Sequence, residues 1–105
     1  MTLTFEWDEE KSRSNVHKHG VPFEEAKTVF NDPFATTIAD PDHSLSEERF
    51  LDIGMSAKGR ILVVWYTERN DNIRMIGCRK ASQAERRKYE ERKKHFGRRR
   101  DERRV

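Results

Sequence analysis

The chain has 105 residues and a net charge of +3 at neutral pH, and is 39% charged but only 33% hydrophobic. That length suits one domain, and the low apolar share limits it to a small core. Six Phe, two Trp and two Tyr argue against disorder. The single cysteine, Cys78, excludes a disulfide-stapled secreted scaffold. The start of the chain lacks the basic and apolar pattern of a signal peptide, and the longest apolar run, 61–66, is far too short for a bilayer. The expectation is a small soluble cytoplasmic protein. Its charge is uneven. Residues 79–105 hold 13 Lys and Arg against 5 Asp and Glu, whereas residues 1–78 hold 9 against 14. Such asymmetry points to a polyanion or an acidic partner at the C-terminal end. The plainer alternative is a solvated basic helix with a tail.

Residues 3–7 alternate weakly and suit a short strand. Asp8 is placed to cap a helix running to about His19, with Glu9 and Glu10 in its positive first turn. Gly20 is a natural stop, and Pro22 suits the first position of a second helix. Phe23, Ala26, Val29 and Phe30 form that helix's apolar stripe, which Asn31, Asp32 and Pro33 end. Four strands are expected at 34–39, 49–55, 60–67 and 72–79. The third is apolar on both faces and belongs in the centre. Turns at 56–59 and 68–71 are short, so the strands form an antiparallel meander. Ser82 and Glu85 make a capping box for a last helix running to about His95, with Gly97 as stop. The fold class is therefore α+β: two N-terminal helices, an antiparallel sheet of about four strands and a C-terminal helix. Residues 1–96 form the domain, and 97–105, with five arginines, form a mobile basic tail.

The first helix is unusual. Asp8, Lys11, Asn15, Lys18 and His19 share one face, where a core-facing helix carries Leu or Val. Asp8, Lys11 and Asn15 either lock the helix onto the sheet through hydrogen bonds or belong to a site. Lys18 and His19 place a cation and a titratable imidazole together, which suits phosphodiester chemistry.

Phe5-Glu6-Trp7-Asp8, Lys11, Asn15, Lys18-His19-Gly20 and Phe23-Glu24-Glu25-Ala26 resemble the start of the BrnT toxins. The middle is similar in Asp40-Pro41-Asp42-His43, Glu48-Arg49-Phe50 and Ile53-Gly54. The end is similar in Ile73-Arg74-Met75-Ile76, Arg79, Ala81, Glu85-Arg86 and Tyr89. The likeness runs in order over about residues 3–90. Gly77-Cys78 departs from it, since the family usually shows Ser-Ala there, and the basic tail after Phe96 is an extension. The resemblance implies a RelE-like fold and a ribonuclease toxin of a type II toxin–antitoxin pair that blocks translation. It also implies a BrnA-type antitoxin partner, and a complex that represses its own operon through operator DNA.

Cleavage of RNA without a metal needs the 2′-OH as nucleophile, a base, an acid and cations on the phosphate. His19 is the expected acid or base, with Lys18 beside it. Arg74 and Arg79 are the expected phosphate clamps, because a guanidinium binds phosphate bidentately. Their odd spacing puts them on opposite faces of a regular strand, unless a bulge, for which Gly77 is the natural position, intervenes. Arg49, Lys80, Arg86 and Arg87 are expected to bind RNA, with Glu48, Glu68 and Tyr66 in second rank. A zinc set from His17, His19, His43 and Cys78 is the rival chemistry. His17 and His19 diverge on a helix, so no metal or cofactor is expected, and Cys78 reads as a small strand residue. Rival functions are a non-catalytic nucleic-acid-binding module and a structural subunit of a repressor complex. The last helix has little apolar surface, so an antitoxin segment is expected to bury Tyr89 and shield Arg79.

Overall fold

A computed structural model describes residues 3–40 and 48–103, with the side chains of the last helix as far as His95. In chain order the elements are β1 (Thr4–Glu6), α1 (Glu9–His19), α2 (Phe23–Ala26), a 3-10 helix (Lys27–Asn31), β2 (Thr36–Ala39), β3 (Arg49–Met55), β4 (Ile61–Arg69), β5 (Asn72–Lys80) and α3 (Gln83–Arg103). No helix among the described residues is long and apolar enough to cross a membrane.

The local signals act as their chemistry dictates. Asp8 is the N-cap of α1, and its carboxylate accepts from the Glu10 amide at 2.8 Å. Gly20 ends α1 in the left-handed region at φ 71°, where its amide donates to the Val16 carbonyl. The second helix differs from expectation. Pro22 is its N-cap rather than its first residue, and its second half tightens into the 3-10 helix. The last helix also differs, continuing through Gly97 to Arg103.

The sheet has five strands in the order β1-β5-β4-β3-β2. The expected four-stranded antiparallel meander is correct for β2 to β5 and needs one addition. Strand β1 pairs parallel to β5, Thr4 with Asn72 and Glu6 with Arg74, so the sheet is mixed. Aromatic packing dictates this docking. Phe30 of the 3-10 helix meets Phe5 edge-on at 5.1 Å and Tyr66 of β4 at 4.9 Å, pinning β1 beside the sheet.

Most of the core lies on the α1 and α2 side of the sheet, although Val63, which points the other way from β4, is also fully buried. Val21, Phe23, Ala26 and Val29 from the helical layer pack with Leu62, Val64, Tyr66, Ile73, Met75 and Cys78. The polar face of α1 is partly structural. Asn15 donates to the Val21 carbonyl at 2.8 Å and to Cys78 Sγ at 3.0 Å, and accepts from the Cys78 amide at 3.3 Å. Since β1 reaches only as far as Arg74 along β5, this side chain serves the edge of β5 that β1 leaves uncovered. Lys11 is exposed.

Helix α3 crosses near the end of β3 and is fastened at Tyr89, which is 3% exposed and donates to Asp32 Oδ2 at 2.6 Å. Burial works against ionisation of Asp32. Hydrogen bonds from the Met55 amide, Tyr89 and the Phe34 amide nevertheless bring its carboxyl below the ordinary range. Tyr89 is thus already buried in its own domain, and no partner is required to cover it.

Candidate active site

The pairing of β4 with β5 contains one irregularity. Tyr66 faces Met75, but Trp65 faces Gly77, so Ile76 is an extra residue and the strand bulges next to Gly77. The consequence is geometric. Arg74 precedes buried Met75, and Arg79 follows buried Cys78. Both arginines therefore project from the face away from α1 and α2. A regular strand would have sent them to opposite sides. Arg49, opposite Thr67 and next to core-packed Phe50, shares the face away from α1 and α2.

Arg74 and Arg79 each have a carboxylate partner. Arg74 Nη1 lies 3.6 Å from Glu6 Oε2, a contact made possible by the parallel register of β1. Arg79 lies over the Trp65 ring at 5.2 Å. Its Nη1 and Nη2 donate to Glu85 at 2.8 and 3.1 Å, and Nη1 also donates to the Lys80 carbonyl at 3.1 Å. Glu85 completes the capping box. Its carboxylate accepts from the Ser82 amide at 2.7 Å, and Ser82 Oγ accepts from the Glu85 amide at 3.2 Å. Chiefly through Arg79, the Glu85 carboxyl is held down to about 2. Glu85 in turn keeps Arg79 firmly protonated. The result is a fixed guanidinium stacked on an indole, with Arg74 further along the same strand.

Lys18 and His19 are exposed at the end of α1. That helix packs on the face of β5 that carries Cys78. The arginines project from the opposite face of β5, and no hydrogen bond or ion pair among the described residues links the two groups. Lys80, Arg86 and Arg87 are exposed around the start of α3, and Glu48 and Glu68 are exposed at strand ends. Tyr66 is in the core, its hydroxyl donating at 2.8 Å to Asp52, so it takes no part in chemistry at the surface. Burial raises the Asp52 carboxyl despite hydrogen bonds from Thr37 and Tyr66. Cys78 is 2% exposed, and burial pushes its thiol up to about 12, as befits a packing residue. His43 lies outside the described residues. Among those described, no three His, Cys, Asp or Glu side chains are grouped to hold a metal ion.

Three residues of this face escape sequence reasoning: Glu6, Trp65 and Glu85. The capping box signals Glu85 as a helix start but not as the partner of Arg79. Glu6 and Trp65 become visible only once the strand order is known.

Comparison with known proteins places this geometry in a lineage. No curated protein matches the chain. Among solved structures, the crystal structure of the Brucella abortus ribonuclease toxin BrnT aligns with a TM-score of 0.58 and 25% sequence identity, covering 78% of this chain and 100% of that one. The family model for the ribonuclease toxin BrnT of type II toxin–antitoxin systems matches residues 7–85, which include α1, the whole sheet beyond β1 and the capping box. The chain belongs to the BrnT family of ribonuclease toxins of type II toxin–antitoxin systems.

Proposed function

We propose that this toxin cleaves single-stranded RNA on the sheet face that carries Arg74 and Arg79, without a metal ion. The observation that carries this reading is the bulge at Ile76, which sets Arg74 and Arg79 on one side beside Trp65. Two guanidinium groups on one strand suit a phosphodiester and the negative charge that grows on it during attack. Arg74 and Arg79 hold the phosphate, and Trp65 offers an apolar wall to a neighbouring base. The 2′-OH attacks the adjacent phosphorus and gives its proton to Glu6, the carboxylate beside Arg74. The 5′ oxygen leaves with a proton from water, and a 2′,3′-cyclic phosphate remains. Arg49 extends the cationic surface. An antitoxin of the BrnA type silences the toxin by covering this face, and the complex represses its own operon.

The test is cleavage of a fluorescent oligoribonucleotide by purified variants of confirmed fold. Arg74→Ala and Arg79→Ala are each expected to lose roughly 10²-fold or more in rate, the scale of losing one donor to developing charge. EDTA is expected to change nothing. Full activity in both arginine variants refutes the assignment. Loss of cleavage in a folded His19→Ala protein moves the proton transfer to the end of α1. A second reading rests on the two-pronged grip of Glu85 on Arg79: the arginine is a structural clip in a nucleic-acid-binding module. RNA bound but never cut by the wild-type chain selects that reading.

A further inference from the structure

Beside the start of α3 lies a cleft of about 330 Å³ that the site described above does not use. Its walls include Met55, Arg60, Ile61, Lys80, Arg86 and Glu90. The three cations differ in state. Arg60 is committed, since its guanidinium grips buried Glu25 and donates to the Gly20 carbonyl at 3.1 Å. Lys80 and Arg86 are exposed and form no ion pair or side-chain hydrogen bond with any described residue. Glu90 sits one turn after Arg86 on α3, yet makes no ion pair with it. Two unspent cations therefore face one carboxylate, above a floor supplied by Met55 and Ile61. The larger cavity at Tyr89, of about 400 Å³, contrasts with it. There the oxygens of Asp32 are already taken by the Phe34 and Met55 amides and the Tyr89 hydroxyl, and the cation of the lining, Lys93, lies over the Phe34 ring with Asp32 opposing its charge, so that cavity has no surplus of positive charge for an anion.

We infer that the cleft between the β3–β4 turn and the start of α3 is an RNA subsite, in which Lys80 and Arg86 hold a backbone phosphate of the strand whose scissile phosphate lies at Arg79. The inference rests on the ribonuclease reading and adds a second anchoring point to it. Continuity supports it. Met55 and Ile61 pair at this end of the sheet and, next to core-facing Gly54 and Leu62, point to the arginine side, while Lys80, the residue after Arg79, turns to the other side at the strand end. A strand leaving the arginine face at that end runs into the cleft. Met55 and Ile61 offer an apolar surface to a sugar or base edge, and the two cations meet the phosphate. An anion held by Lys80 and Arg86 must also tolerate Glu90, so removing that charge tightens binding.

The test uses the full chain and a 2′-O-methyl oligoribonucleotide, which binds but has no nucleophile. Fluorescence anisotropy at several salt concentrations gives the affinity and its salt dependence. Lys80→Ala/Arg86→Ala is expected to weaken binding roughly tenfold. It should also flatten the slope of log affinity against log salt by about 0.7 for each phosphate that is no longer neutralised. Glu90→Gln is expected to tighten binding. Lys58→Ala, a charge removed from the nearby turn but not from the cleft, is expected to change little. Unchanged affinity and slope in the double variant overturn the subsite while leaving cleavage on the sheet face intact. Failure of the wild-type chain to bind or cut any RNA overturns both. A double variant that loses affinity for polyglutamate but not for RNA reassigns the cleft to an acidic protein segment and overturns the inference.

Discussion

Glu85→Gln tests the join between strand and helix. The amide is the same shape as the carboxylate, and its oxygen still accepts from the Ser82 amide, so the cap geometry survives. What disappears is the negative charge facing Arg79. In the wild type Arg79 holds the Glu85 carboxyl at about 2, against an ordinary 4.5. At 1.36 kcal/mol for each tenfold change, the gap sets an upper limit of about 3 kcal/mol. The side chains are 36% and 26% exposed, so solvent screening brings the expected contribution to about 1–2 kcal/mol. The folded-state value is depressed. The contribution is therefore complete above the unfolded value and disappears as pH falls through the folded one. Thermal unfolding followed by circular dichroism should show the variant lower by roughly 4–15 °C at pH 7, at about 4–8 °C per kcal/mol for a domain of this size. The two proteins should converge between pH 5 and pH 2, where the wild type loses its advantage. A difference that stays constant over that range refutes the electrostatic account and leaves only the packing of the cap.

Tyr89→Phe keeps the ring but removes the donor to Asp32. It should cost about 1.5–3 kcal/mol, the range for a hydrogen bond to a charged group, and hydrogen exchange should show α3 amides opening faster than those of β4. Gly54→Ala places a methyl group 2.8 Å from Ala35 Cβ and 2.9 Å from Val29 Cγ1. Overpacking of this kind costs about 1–3 kcal/mol, measurable by urea unfolding. Asp52 is raised by burial, so its ionised form is disfavoured in the fold. The wild type therefore loses stability as pH rises through that titration, and Asp52→Asn should show a flatter stability–pH profile from pH 4 to pH 7. Arg74→Lys should recover only part of the cleavage missing in Arg74→Ala, because a lysine binds phosphate as a single point. Full recovery shows that charge alone matters there.

Much of this fold is legible in the sequence where a residue has one local option. Asp8 caps, Gly20 stops a helix in the left-handed region, and Ser82 with Glu85 opens α3. The parity conflict between Arg74 and Arg79 is also legible, together with Gly77 as the place to relieve it. Long-range choices are not. Three residues at 4–6 read as a strand but do not name β5 as neighbour, since so short an alternation fits several edges. Tyr89 stands alone in a charged helix, and only the position of Asp32 explains its burial. The placement of Lys18 and His19 apart from the arginines follows from the layer α1 joins, which spacing within the helix does not encode.

The pairing of β1 with β5 has a consequence for how the molecule comes into being. Thr4 meets Asn72 and Glu6 meets Arg74, so the first strand made has to wait for the last one. The hairpins β3–β4 and β4–β5 close over short loops and can form early, but docking β1 spans most of the chain and carries a larger loop-closure entropy. Addition of β1 is thus a late folding event. Until it happens, the edge of β5 is open and Arg74 lacks its carboxylate. A chain still emerging from the ribosome, or one cut short before residue 72, cannot assemble the paired arginine face, which becomes complete only once β5 has been made and β1 has docked on it.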